Sequence, residues 1–173
     1  FYTKLVAACC RQAHATGIYT SGVVFEPSFY EEMAGIMKEG ELPLNNWIWF
    51  GLYRTATGVN AYTYGMDVFG KEELEVLDAN AEPMTVREFL VNLVGYVLDE
   101  DVTLKDGETI GFSADDKHRI TRSQGVALPE QMTLKVSWDS SDDDPDDTKG
   151  STEEADASLA DKESLEVYAV EEM

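Results

Sequence analysis

The chain changes character after Trp138, and that change sets the size of what can fold. Residues 139–173 carry 14 acidic and two basic side chains, a net of −12, whereas the 138 residues before them carry 20 acidic and 11 basic, a net of −9. The acidic stretch opens on Asp139-Ser-Ser-Asp-Asp-Asp-Pro-Asp-Asp147, where like charges repel and apolar side chains are scarce. Such a segment cannot bury enough surface to offset roughly 1–2 kcal/mol of backbone ordering per residue. Residues 1–138 are therefore expected to form one domain. Residues 139–173 are expected to be a mostly disordered acidic tail with an electrostatic role. Within the tail, Ser164-Leu-Glu-Val-Tyr-Ala-Val170 is less polar and suits either an edge strand or a short docking helix.

The charge also limits partners. A chain of 173 residues with net charge −21 repels phosphate, which argues against nucleic-acid backbones and anionic lipid surfaces and in favour of a basic protein partner. No apolar run approaches the ~18 residues a membrane span needs. The two cysteines are the neighbours Cys9 and Cys10, a pairing too strained for a disulfide framework and in keeping with a reducing cytoplasm. On a helix they point about 100° apart, so one can be buried while the other is exposed. Phe1 begins a helical pattern with no cap before it, so a native segment is expected to precede it.

A hydrophobic content of 43% supports one core, and its pattern alternates helices with strands. Phe1 to about His14 reads as a helix with Phe1, Leu5, Ala8, Cys9 and Gln12 at helical spacing, stopped by Gly17. Ile18–Phe25 reads as a strand. Ser28 and Glu31 have the form of a capping box opening a helix with Phe29, Met33, Ile36 and Met37 on one face, ended by Gly40. Trp47–Tyr53, apolar on both alternating faces, reads as a central strand covered on both sides. The turn Thr55–Gly58, with Gly58 left-handed, leads to a strand over Val59–Met66. Leu74–Leu77 is a short strand. Thr85 and Glu88 form a second capping box before a helix whose core stripe is Val86, Phe89, Leu90, Leu93, Val94 and Val97. Glu108–Phe112, His118–Arg122 and Met132–Trp138 complete the strands.

Each chemical motif has a plainer counterpart. Asp142, Asp144, Asp146 and Glu153 match positions one, three, five and twelve of an EF-hand loop, but Asp147 stands where glycine is needed, Pro145 interrupts, and no amphipathic helices flank it. A solvated acidic linker is the simpler reading. Cys10 and His14, four apart, form either a nucleophile–base pair or a core thiol beside a helix-end histidine. Phosphate-loop, dinucleotide, nucleophile-elbow and zinc-protease fingerprints are absent, so no cofactor, metal or catalytic residue is assigned. In the basic cluster 117–122, Lys117 and Arg119 share one strand face while His118, Ile120 and Arg122 share the other. Arg119 or Arg122 can hold a carboxylate or phosphate, or else pair locally. Tyr62 and Tyr64 share a strand face and serve either as core or as a partner surface. Tyr62, Tyr64, Lys117, Arg119 and Arg122 are the candidate interaction residues.

Leu42-Pro-Leu44, Trp47-Ile-Trp-Phe50, Tyr62-Thr-Tyr-Gly-Met66, Phe69-Gly-Lys-Glu-Glu-Leu-Glu-Val76, the helix from Thr85 and Asp106-Gly-Glu-Thr-Ile-Gly111 together resemble a bacterial family catalogued as domain of unknown function 4261. The resemblance covers most of residues 1–138 and brings no activity or catalytic residues with it. More distantly, the chain is similar to suppressor-of-fused-like bacterial domains, some of which act as immunity proteins beside polymorphic toxins.

These readings combine into an α+β fold, a mainly antiparallel sheet of five to seven strands with three helices packed on it. The expected function is a cytoplasmic, non-enzymatic protein-interaction module. The alternatives are a hydrolase built on a carboxylate or Cys/His site, and an immunity protein against a polymorphic toxin. A flat, acidic, aromatic-bearing surface would favour interaction, whereas two near carboxylates or Cys10 with His14 in a pocket would favour the enzyme.

Overall fold

Thr3, Ala7 and Cys10 are four and three residues apart, and they form the buried face of the first helix, α1 (Tyr2–Cys10). This is not the face expected from the apolar residues, because Phe1 and Leu5 are exposed. The reason lies in Thr3, whose hydroxyl accepts from the Trp47 indole N–H at 2.8 Å; a half-buried indole donor needs that oxygen. The structure, a computed structural model, describes residues 1–20, 22–113 and 116–138. The expectations about the acidic tail, including its EF-hand-like spacing and residues 164–170, lie outside the described residues.

The stretch expected as one strand is two, β1 (Ile18–Thr20) and β2 (Val23–Phe25), paired antiparallel. The chain reverses between them, with Gly22 at φ +78°, which an L side chain rarely adopts. The helix α2 follows (Pro27–Gly35), continued by a 3₁₀ turn over Ile36–Lys38, with Tyr30 and Ala34 as its buried pair. Its start is set by Pro27 at the first turn rather than by a capping box: Ser28 donates to Glu26, and Glu31 pairs with Arg11. Ala7, Cys10, Tyr30 and Ala34 form a small core of their own.

The short helix α3 (Leu44–Trp47) takes up the start of the expected third strand, and β3 (Trp49–Arg54) is what remains. It hairpins to β4 (Val59–Tyr64), followed by β5 (Leu74–Ala79), α4 (Pro83–Asp99), β6 (Thr109–Ser113), β7 (Asp116–Gln124) and β8 (Met132–Val136). The sheet order is β3-β4-β5-β8-β7-β6, antiparallel except for the parallel pair β5 and β8. The α+β class and the six-stranded, mainly antiparallel sheet are as expected; the separate two-stranded sheet and the fourth helix, α3, add to the one sheet and three helices expected.

Two expectations about β3 and β4 need correction. β3 is an edge strand, not a central one. Phe50 lies in the main core, whereas the other face is covered locally by the aromatic rings of β4, so two apolar faces arise without a central position. Gly58 is not left-handed; it is required because an added Cβ would lie 2.7 Å from the backbone of Asp78 and Ala79. The left-handed residue is Asp78 (φ +52°), whose carboxylate accepts from Thr55 and Thr57 at the hairpin tip.

The helix α4 matches its predicted stripe. Val86, Leu90, Leu93, Val94 and Val97 are fully or almost fully buried against Phe50, Val59, Ala61, Leu74, Val76, Ile120, Leu134 and Val136. Burial of each such side chain stabilises by about 1.5–3 kcal/mol, so this face dominates the core. Phe89, half-buried, packs on His118 and Trp138. The helix starts at Pro83, again the first-turn proline rather than the Thr85 hydroxyl.

Candidate functional site

One face of the sheet is covered by α4, and strand alternation decides what stands on the other. Thr121, Lys135, Glu75, Tyr62 and Gly51 lie directly opposite one another in consecutive strands. Directly opposed residues share a face, so these five form a row across the side away from α4, here termed the open face. Gly51 leaves room for its neighbour: the Tyr62 ring lies where a Cβ at position 51 would be, within 2.2 Å. An aromatic ring thus covers a strand glycine. Tyr53 meets Tyr62 edge-on at 6.3 Å, and its hydroxyl accepts from Asn60 Nδ2 at 3.0 Å. Burial, aided by the Glu75 carboxylate, pushes the Tyr53 phenol above its usual range.

The β1–β2 hairpin comes against this aromatic row, and between them lies a cleft of about 480 Å³. Trp49, Tyr62 and Tyr64 line it from the sheet, Gly22, Val23 and Val24 from the hairpin, and Leu128 also lines it. Val24 is 73% exposed and Tyr64 44%, so the cleft is open to solvent. Tyr19, paired with Val24 across the hairpin and 75% exposed, extends the apolar surface. Volumes of roughly 300–1,000 Å³ suit a bound group. The cavity under the end of α4, lined by Met66, Val97 and Leu134, holds only about 180 Å³.

Leu128 is held in place by a buried carboxylate. Glu75, fully buried, accepts from the backbone N–H groups of Val126 (3.0 Å) and Ala127 (2.9 Å), from the Thr133 hydroxyl (3.1 Å), and from Lys135 Nζ (3.2 Å). Burial alone would raise its pKa; the two amides and Lys135 outweigh that and hold it below the ordinary glutamate value. Glu73, two residues earlier, does the same for another turn: it accepts from the amides of Gly65 (2.7 Å) and Met66 (2.9 Å) and from the Thr63 hydroxyl (2.6 Å). The alternation Glu73-Leu-Glu-Val76 therefore places Leu74 and Val76 in the core while each glutamate clamps a loop.

Of the residues predicted from sequence, Tyr62, Tyr64, Lys117 and Arg119 share the open face. Tyr62 and Tyr64 line the cleft, whereas Arg119 and Lys117 stand exposed on β7, three strand spacings (about 14 Å) across the sheet and, counting from Thr121 in the row with Tyr62, two and four residues further along the strand, away from the cleft. Arg122 is on the opposite side, its guanidinium held by Glu72 at 2.8 Å and its amide by Asp106. His118 is buried, with Nδ1 donating to the Ser137 carbonyl at 2.8 Å. Cys10 is buried while Cys9 is exposed; the Cys10 thiol donates to the Val6 carbonyl, and burial pushes its pKa up. A protonated core thiol of this kind is a poor nucleophile. His14 lies beyond the end of α1, exposed. Among the described residues no group of three or more His, Cys, Asp or Glu side chains is placed to hold a metal ion, and no helix is long and apolar enough to cross a membrane.

Sequence reasoning missed Trp49 as a cleft wall, and with it Val23, Val24 and Leu128. A break at Gly22 in the run 18–25 would have revealed the hairpin. Leu128 carries no local signal, because a glutamate 53 residues earlier in the chain, Glu75, positions its loop.

Over residues 62–137 the chain matches the family model described as Domain of unknown function (DUF4261), so the resemblance read from the sequence holds over that span. No curated protein and no solved structure matches the chain. The match begins at Tyr62 and takes in Leu128, whereas Val23, Val24 and Trp49 precede it. The cleft is thus built jointly by the matched segment and the residues before it.

Proposed function

We propose that the protein is a non-enzymatic interaction domain that receives part of a protein partner in the cleft between the β1–β2 hairpin and the open face. The observation that carries this reading is the clustering of Trp49, Tyr62 and Tyr64 with Val23 and Val24 around a solvent-open cleft. Rigid aromatic side chains that keep exposed area are the usual anchors of protein interfaces. The net charge of −21 selects a basic partner and makes association fast and salt-sensitive.

The test compares the full chain with Tyr64→Ala and with the double substitution Val24→Ser, Tyr64→Ala as baits for proteins of the source cell. All three should melt within about 2 °C of one another, because both positions are exposed. A basic protein retained by the wild type at low salt should be lost from the double variant. The same proteins held equally by wild type and double variant would contradict the cleft as the binding site.

A further inference from the structure

We infer that β3 takes up an extended, apolar and basic segment of the partner as a seventh strand of the sheet. This rests on the proposed interaction function and specifies how the partner is held.

The backbone supplies the first argument. The Thr55 N–H donates to the Gly58 carbonyl at the hairpin tip, which fixes the alternation of the ladder. Thr55, Tyr53, Gly51 and Trp49 direct their backbone groups at β4, so Phe50, Leu52 and Arg54 direct theirs outward. Ile48, next in that series, has its N–H taken by the Leu44 carbonyl. For Phe50, Leu52 and Arg54 no backbone partner on the outer side occurs among the described residues.

The second argument compares the two edges of the sheet. Exposed edges are normally protected by lysine, proline, a bulge or shortness. β6 has such protection, an irregular register with β7 between Ile110 and Ser113. β3 has none of these: it pairs with β4 in unbroken register over six residues, without lysine or proline, and its one charge, Arg54, stands at the end. A regular, apolar, unprotected edge is a template for strand addition, in which main-chain bonds give affinity and alternate side chains give specificity.

Charge and side-chain alternation then decide the occupant. A second copy of the chain would bring −21 against −21, a repulsion that a basic segment converts into attraction. Side chains of an added strand alternate between the two faces. Those beside Phe50 and Leu52 meet the apolar side that faces α4; those beside Trp49 and Tyr53 meet aromatic rings, which favour Lys or Arg. The segment therefore alternates apolar with cationic residues.

The experiment uses the full chain and a synthetic peptide of about ten residues in which lysine alternates with valine, long enough to span β3. In the free chain, the amides of Phe50, Leu52 and Arg54 should exchange with solvent orders of magnitude faster than those of Gly51 and Tyr53, and the peptide should slow them. Peptides N-methylated at every valine or at every lysine present the methyl groups on opposite edges. One of the two should bind at least about tenfold more weakly than the unmodified peptide, while the other stays within about twofold. A glutamate–valine peptide should not bind. The inference is overturned if both methylated peptides bind like the parent, if the three outward amides are already protected in the free chain, if the chain sediments as a dimer, or if the glutamate peptide binds as well. If both methylated peptides bind alike while the double variant Val24→Ser, Tyr64→Ala still loses its captured protein, strand addition fails and the cleft reading stands.

Discussion

Glu75 shows how one buried charge can serve a binding surface it does not join. Its carboxylate satisfies two loop amides and Lys135, and the loop carries Leu128 into the cleft. Glu75→Gln would place an amide N–H₂ against N–H donors and leave Lys135 partly uncompensated, a loss of about 3 kcal/mol of stability at neutral pH. The folded-state pKa is lowered, so this glutamate's contribution is complete above the unfolded value near 4.3 and is lost as pH falls through the lower folded value. Urea unfolding of the wild type should therefore show a stability loss below about pH 4.3 that is smaller in Glu75→Gln. Equal acid sensitivity in both proteins would remove Glu75 from the explanation. None of this is visible at the sequence level. Glu-Leu-Glu-Val has the alternation of a half-exposed strand, and only the loop returning from position 126 turns its polar residues into buried clamps. The buried face of α1 is hidden for the same reason, since the Thr3 hydroxyl counts as polar until the Trp47 indole is seen to need it.

At the scale of elements, legibility followed periodicity. The stripe of α4 and the strands from Thr109 onward were readable because five or more residues repeat one spacing and the neighbours do not compete. The edge position of β3 was not readable, since two apolar faces signal a central strand unless a neighbour's ring is known to lie over the glycine. Both misread helix starts share a Glu-Pro pair, Glu26-Pro27 and Glu82-Pro83, in which proline's fixed φ begins the helix ahead of the nearest hydroxyl. The pairing of Gly51 with Tyr62 makes a test at this scale. Gly51→Ala must push the Tyr62 ring off the strand, at a cost of about 1–3 kcal/mol. The displaced ring enters the cleft, so partner capture should fall even where the protein remains folded by circular dichroism. Unchanged capture with a displaced ring would mean that the Tyr62 wall is not part of the contact.

The molecule as a whole joins two cores. The first, formed by Ala7, Cys10, Tyr30 and Ala34, sits on the helices before β3; the second lies between α4 and the sheet. Specific polar bonds link the parts: Trp47 to Thr3, and Asn46 Nδ2 to the Tyr30 carbonyl at 3.0 Å. The matched segment 62–137 contains most of the second core, and the hairpin that completes the cleft precedes it. An interaction surface assembled from both is one that neither half of the sequence announces alone. The most direct measurement is photo-crosslinking in source cells, with benzoylphenylalanine replacing Tyr64 in the cleft or, in a second protein, Tyr96 on α4. Both tyrosines are exposed to a similar degree, 44% and 46%, so accessibility does not distinguish them. The expected result is a discrete crosslinked protein from position 64, weakened by salt, and none from position 96. A crosslink from position 96 alone, or equal crosslinking from both, would contradict the assignment of the open face as the binding surface.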